Sequence, residues 1–215
     1  MERLKTFLSL LGKFLFMDFY YRIEKFAAVV ARQYDEKNKK LLDVGAANSP
    51  YRKYFRNIDY YTHDFKQNEE GSIDYSGDFD DGLASIKDGF FDYLLCTQML
   101  EHLREPSKAF REFHRLLRPG GKVFLTTNFI YQIHMEPNDF YRFTEYGLRY
   151  LGEANGFEVE HLKPHGGIFH VLAYVIATLP IRIFFRKPGI LYHLYLITFS
   201  LPIIILNLAA DIADV

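Results

Sequence analysis

No stretch constrains this chain more than Lys39 to Phe55, KKLLDVGAANSPYRKYF. Charged residues lead into a short apolar run, Leu41-Leu42, that ends in Asp43-Val44-Gly45. A turn of small residues follows, Ala46-Ala47-Asn48-Ser49, and Pro50 suits the first position of a helix. Strand, tight small-residue turn and helix, in that order, form the opening crossover of a nucleotide-binding α/β fold. Small side chains are needed at such a turn because a ligand must come close to the backbone. A helix start would add free amide donors. Apolar strands ending in Asp-x-Gly also lead into ordinary strand-to-helix turns, so the downstream sequence has to supply the context.

That context is a run of alternating strands and helices. Asp59 to His63 (DYYTH) is aromatic and β-branched and reads as a second strand. It ends at Asp64, about 20 residues past the glycine turn, where a carboxylate can accept from both hydroxyls of a ribose. Ser72 to Tyr75 reads as a short third strand, followed by Gly77-Asp78-Phe79. Phe91 to Thr97 (FDYLLCT) is almost continuously apolar, as a central strand buried on both faces should be. Ser107 to Arg118 is an amphipathic helix, with Phe110, Phe113, Leu116 and Leu117 on one side, and Pro119-Gly120-Gly121 is expected to stop it. Lys122 to Thr127 is a fifth strand. Thr144 caps a helix that runs to about Asn155, and Phe157 to Leu162 is a further strand. The alternation predicts an α/β fold with a Rossmann-like, doubly wound, mostly parallel sheet.

Both ends of the chain differ from this middle. Leu4, Leu8, Leu11, Leu15, Phe19, Ile23, Phe26 and Val30 recur at helical spacing, which predicts an amphipathic N-terminal helical segment over 1–35. It either packs on the domain or forms a lid or membrane-contacting arm. Lys13 interrupts its apolar run and no small-residue cleavage site follows, so it is not read as a signal peptide. The domain proper is expected over 36–167 and an apolar helical tail over 168–215. Ile190 to Ala210 lacks Asp, Glu, Lys and Arg and is long enough to span a bilayer, although His193, Pro202 and Asn207 interrupt it. A two-span hairpin would put Arg182, Arg186 and Lys187 on the far side from a cytoplasmic domain, against the positive-inside tendency. The expectation is therefore peripheral or shallow attachment at the cytoplasmic face of a membrane. A folded cap or an oligomer interface is the alternative. The formal net charge of −1 gives no field favouring nucleic acid. The single cysteine, Cys96, rules out an internal disulfide and suits a reducing compartment.

Four stretches carry a resemblance: LLDVGAANSPYRKYF, DYSGDFDDGLASIKDGFFDYLLCTQMLEHL, FREFHRLLRPGGKVFLTTN and HMEPNDFYRFTEYGLRYLGEANGF. On these the chain resembles class I S-adenosylmethionine-dependent methyltransferases of the broad type 11 group. The resemblance implies S-adenosylmethionine as cofactor. Asp43, Gly45 and Ala47 would form the first cofactor motif, and Asp64 would hold the ribose. Asp78 and Phe79 would meet the adenine, and Thr97 and Gln98 would line the methionine end. The family usually has glycine at Ala47 and Ser49. Glu101 and His102 follow its pattern with a structural role. Its sheet normally ends in a last antiparallel strand, and nothing after Ala210 supplies one. The block around His134 resembles members tied to surface-glycan and envelope pathways, which implies a small-molecule or lipid-linked acceptor.

The residues themselves suggest how such a transfer would be served. A sulfonium methyl group is already activated, so alignment and exclusion of water are the main requirements. An oxygen or nitrogen acceptor can also need a base. His134 and Asp139 lie past the C-terminal end of the fifth strand, where open α/β sheets bind ligands. His134 is the base candidate because its ordinary pKa is near neutrality, and Arg142 could clamp an anionic acceptor group. No metal is expected, since no histidine pair has helical zinc spacing beside a third ligand. The substitutions at Ala47 and Ser49 and the missing last strand leave one alternative, a non-catalytic module binding cofactor, membrane or partner.

Overall fold

The computed structural model describes residues 18–184 and single residues at 194, 195, 198, 199, 202, 205 and 209. The segment before Asp18 and most of the apolar tail after Phe184 lie outside the described residues. The chain divides into two compact units, one of Lys25–Lys163 and one drawn from Met1–Glu24 and Pro164–Val215.

Five strands build the first unit: β1 (Lys40–Val44), β2 (Asp59–Asp64), β3 (Tyr75–Ser76), β4 (Phe91–Thr97) and β5 (Leu117–Thr126). They pair in the order β3-β2-β1-β4-β5, and every pairing is parallel. The order reverses between β1 and β4, which leaves a crevice at the C-terminal edge of the sheet. Alternation along the strands divides the core. Leu41, Tyr93 and Leu95 face Val30 and Ala31 of helix α1 (Asp18–Tyr34) together with Phe55 and Ile58. Leu42, Val44, Leu94 and Cys96 face Phe110, Phe113 and Leu116 of helix α2 (Pro106–Leu116). With both faces covered, β4 is buried along its whole length, as its apolar sequence requires.

Three local expectations need correction. The region after Ser49 makes only a single 3-10 turn at Arg52–Tyr54, not a helix with a usable N-terminus. Helix α2 stops at Leu116, and Pro119-Gly120-Gly121 lies inside β5, where the register against β4 shifts between Phe91 and Tyr93. Gly121 is required there, because a Cβ would come within 2.9 Å of the Asp92 carbonyl oxygen. Phe157 to Leu162 pairs with no strand among the described residues. Helix α3 (Glu145–Ala154) forms as expected, with the Thr144 hydroxyl accepting from the Gly147 amide at 3.0 Å.

In the second unit, Ile23 and Ala173 are buried and the Arg22 guanidinium meets His170 at 2.5 Å. Helix α4 (Ile168–Phe184) exposes Ile168, Leu172, Val175, Ile176, Leu179 and Ile183 along one stripe. No helix among the described residues is long and apolar enough to cross a membrane.

Candidate active site

The turn after β1 keeps a glycine-like path without the glycines. Gly45 has φ 77°, and a Cβ there would come within 2.8 Å of Met99. Ala47 and Ser49 also lie in the left-handed region, at φ 48° and 49°. Such a conformation costs a non-glycine residue about 1–2 kcal/mol, so other contacts must hold it. Asp64, at the end of β2, accepts from the Ala47 amide at 2.7 Å, and Asn68 donates to the Ala47 carbonyl at 3.1 Å. The same carboxylate accepts from the Phe65 amide at 2.7 Å.

Asp43 lies under this turn, wholly buried. Its Oδ2 accepts from the Tyr60 hydroxyl at 2.5 Å, while its Oδ1 is buried without a partner. Burial pushes its pKa up to about 7, opposed by the Tyr60 hydrogen bond and reinforced by the charge of Asp64. An unpartnered buried carboxylate oxygen is costly unless a donor reaches it.

Asp78 and Phe79 part company. Asp78 accepts from Arg104 at 2.9 Å and from the Asp80 amide at 3.0 Å. Phe79 is 3% exposed and packs on His63 and Phe113 with ring centroids 5.3 Å away in each case. Its ring belongs to the core, which corrects the expectation that it packs against an adenine. Thr97 is buried at the end of β4, paired with Thr126 of β5. Gln98 turns left-handed at φ 53°, and its side-chain amide meets the Thr126 hydroxyl at 2.9 Å.

Beyond Gln98 the chain assembles a second cluster. Glu101 is fully buried and accepts from Thr127 Oγ1 and Asn128 Nδ2, each at 2.8 Å. Its carbonyl accepts from the amides of Phe140 and Tyr141 at 3.0 and 3.2 Å, which ties the loop after β5 to the end of β4. That loop brings in His134, whose ring centroid is 4.7 Å from that of His102. His134 Nδ1 is 3.2 Å from Asp139 Oδ2. Arg142 grips Asp139 through two contacts of 2.7 Å and holds its carboxyl well below the usual range. The structure therefore joins His134, Asp139 and Arg142. The Arg142 guanidinium is already engaged by Asp139 and by the Tyr131, Gln132 and Tyr141 carbonyls, rather than set aside as a clamp. Glu101 and His102, read from sequence as structural, sit beside His134 with ligand-capable atoms of all three within 4.8 Å of one another. Their adjacency in sequence gave no such signal, because a backbone-tethered loop supplies the third residue.

A family profile described as "methyltransferase domain" matches residues 19–162, more than half of the chain. The chain belongs to the class I S-adenosylmethionine-dependent methyltransferases. Over 80 residues this methyltransferase is 37% identical to the ubiquinone biosynthesis O-methyltransferase of Pseudomonas aeruginosa, covering 37% of this chain and 32% of that protein. It is 44% identical over 55 residues to the same-named enzyme of Xanthomonas oryzae pv. oryzae, covering 26% and 23%. The methyltransferase thus spans about a third or less of the length of the curated relatives it matches. The methyltransferase solved with the Trm112 activator of Haloferax volcanii superposes with TM-score 0.54 at 20% identity, over 67% of this chain and 71% of that one. That likeness shows the fold alone.

The methyltransferase's cofactor is S-adenosylmethionine, and its residues fit that molecule. The unpartnered Asp43 oxygen suits a cationic amine, and the left-handed turn opens the backbone to close approach. The Asp64 carboxylate oxygens each carry one amide bond and keep lone pairs for hydroxyl donors.

Proposed function

We propose that this chain methylates an oxygen of a small-molecule acceptor. The observation that carries the reading is the orphaned, buried Asp43 Oδ1 beneath the left-handed turn at Gly45, Ala47 and Ser49. A degenerate module would have no reason to keep a costly backbone path after losing its glycines, so the non-catalytic alternative loses its main support. When bound, S-adenosylmethionine supplies a sulfonium-activated methyl group, which passes to an acceptor lone pair as the C–S bond breaks, leaving a neutral thioether and one acceptor proton to remove. In this reading Asp43 accepts from the cofactor's amine, Gly45 and Ala47 give the backbone room, and Asp64 holds the ribose. Asp78 meets the adenine edge, with Phe79 contributing through its main chain, while Thr97 and Gln98 border the methionine end.

His134 takes the acceptor side. Its Nδ1 faces only acceptors, Asp139 Oδ2 and the Gln132 carbonyl, both at 3.2 Å, so Nδ1 carries the proton and Nε2 keeps the lone pair. Asp139 orients the ring and Arg142 fixes Asp139. Oxygen is the preferred acceptor atom because the ubiquinone biosynthesis relatives are named O-methyltransferases. Calorimetry with S-adenosylhomocysteine should show one site per chain, and labelled cofactor should mark an acceptor in lipid or glycan extracts. Intact protein that binds neither S-adenosylmethionine nor S-adenosylhomocysteine would refute the proposal.

A lipid-linked acceptor met at a cytoplasmic membrane face is the finer reading, supported by the exposed apolar stripe of α4. So much contiguous apolar surface is costly in water. The basic residues Arg182, Arg186 and Lys187 in the sequence would add about 1 kcal/mol each at an anionic surface. Replacing Leu172, Ile176 and Leu179 together by Gln should release the full chain from anionic vesicles. If the wild-type chain does not sediment with such vesicles, the membrane reading fails and the methyl-transfer reading stands.

A further inference from the structure

We propose that Glu101, His102 and His134 bind a divalent transition-metal ion of the zinc class. The first argument is charge. Glu101 is 0% exposed, and no Lys or Arg among the described residues forms an ion pair with it. Arg142 lies near enough to sense it, but the guanidinium contacts are with Asp139 and main-chain carbonyls. A buried carboxylate is normally paired with a cation or coordinates a metal. Glu101 Oε1 accepts from Asn128 and faces the Gln98 amide, whereas Oε2 accepts one hydrogen bond, from Thr127, and retains a lone pair for a cation.

The second argument is tautomer. His102 Nδ1 faces the Asn138 carbonyl at 2.5 Å, and a carbonyl only accepts, so that nitrogen carries the proton. His134 Nδ1 faces a carboxylate and a carbonyl, with the same result. Both rings therefore direct a free Nε2 lone pair away from their anchors. A carbonyl or carboxylate holding the far nitrogen is the outer-shell arrangement of metal-binding histidines. The Asp139–Arg142 pair that steadies His134 completes it.

The third argument is geometry. The ligand-capable atoms lie within 4.8 Å of one another. Bonds of about 2.0–2.2 Å around one ion require those atoms to draw closer on binding. Two imidazoles and a carboxylate suit zinc-class ions rather than magnesium or calcium. Three protein ligands leave a position open for water or an acceptor oxygen. Binding of the ion stands on these three residues. Its use rests on the proposed methyl transfer: with the ion bound, His134 Nε2 is a ligand rather than the base, and an acceptor hydroxyl at the open position would lose its proton to solvent more readily.

The full chain, stripped with chelator, is titrated with Zn2+ by calorimetry and with Co2+ by visible absorption. One ion per chain is expected, with His102→Ala and His134→Ala each weakening affinity at least about 10-fold while leaving S-adenosylhomocysteine binding unchanged. Absence of stoichiometric uptake overturns the proposal, as does unaltered affinity in the double variant. Methyl transfer is assayed separately. Uptake without transfer would keep the metal site and sink the methylation reading, whereas transfer without uptake would do the reverse.

Discussion

The turn proposed to receive the cofactor lies within one short stretch, Gly45 to Ser49, braced by Asp64 from the neighbouring strand. The acidic and imidazole cluster draws Glu101 and His102 from the end of β4 and His134 and Asp139 from a loop beyond β5. The first is specified by local backbone geometry, which outlives a change of side chain from glycine to alanine or serine. The second is specified by topology, because bonds from Phe140 and Tyr141 to the Glu101 carbonyl and from His102 to the Asn138 carbonyl hold distant segments together. One half should therefore tolerate substitution while its path is kept, and the other should fail when a single side chain is removed.

The largest effect expected is on that second half. His134→Ala should lower methyl transfer about 100- to 10,000-fold, with S-adenosylhomocysteine affinity unchanged by calorimetry. Loss of cofactor binding in the same variant would show that the halves are not separable. Next, Asp64→Ala removes a charged acceptor from the Ala47 amide and from the proposed ribose site. With charged hydrogen bonds worth about 1.5–3 kcal/mol each, cofactor affinity should fall roughly 10- to 100-fold.

A smaller effect sharpens the comparison through pH. Asp43 holds its proton up to about pH 7 when folded, whereas an unfolded aspartate loses it near pH 4. Between those values the folded chain binds the extra proton, so this group's contribution to stability is full below about pH 4 and is lost as pH rises to 7. The midpoint of thermal unfolding, compared for wild type and Asp43→Asn at pH 5 and pH 8, should fall more in the wild type. Cofactor affinity should rise over the same window in the wild type alone, since an ionised Asp43 is the better partner for a cationic amine. The smallest effect is expected from Ala47→Gly with Ser49→Gly. Relief of about 1–2 kcal/mol per left-handed residue is offset by the flexibility glycine adds to the unfolded chain. The melting temperature should move by only a few degrees and cofactor affinity by less than about 3-fold.

Local chemistry explains what could be read in advance. Strand β1 was legible because an apolar run bounded by lysines and Asp-x-Gly admits few other structures, and α3 because Thr144 caps it. The positions of Asp43, Asp64 and Asp78, at a strand end or the turn beside one, were legible, while their cofactor contacts belong to the proposal. Phe79 was misread because an aromatic ring beside a loop aspartate has two apolar destinations, and Phe113 with His63 provides the nearer one. Pro119-Gly120-Gly121 carries the signature of a helix stop, but Gly121 meets the crowding of a bulged strand against Asp92. The segment from Phe157 has strand-like composition, yet ladder pairing needs a neighbour in register, and composition does not encode one. The Glu101–His102–His134 cluster lacked a local spacing because its third member arrives through main-chain tethering.

The bulge in β5 has a consequence for how copies of this chain meet. Strand β5 is the last in the sheet order, and no described strand pairs with its outer side. Where such a ladder stays open, it templates growth by addition of a second chain. Here Pro119 lacks an amide to donate, the shifted register bends the strand, and Arg118 and Lys122 are committed to ion pairs with Asp92 and Glu160. The outer side of β5 is thereby broken into short, charged pieces. The same irregularity that shortens α2 thus discourages aggregation along the sheet, and replacing Pro119 or Gly121 with a β-branched residue would be expected to show its cost first as precipitation during refolding.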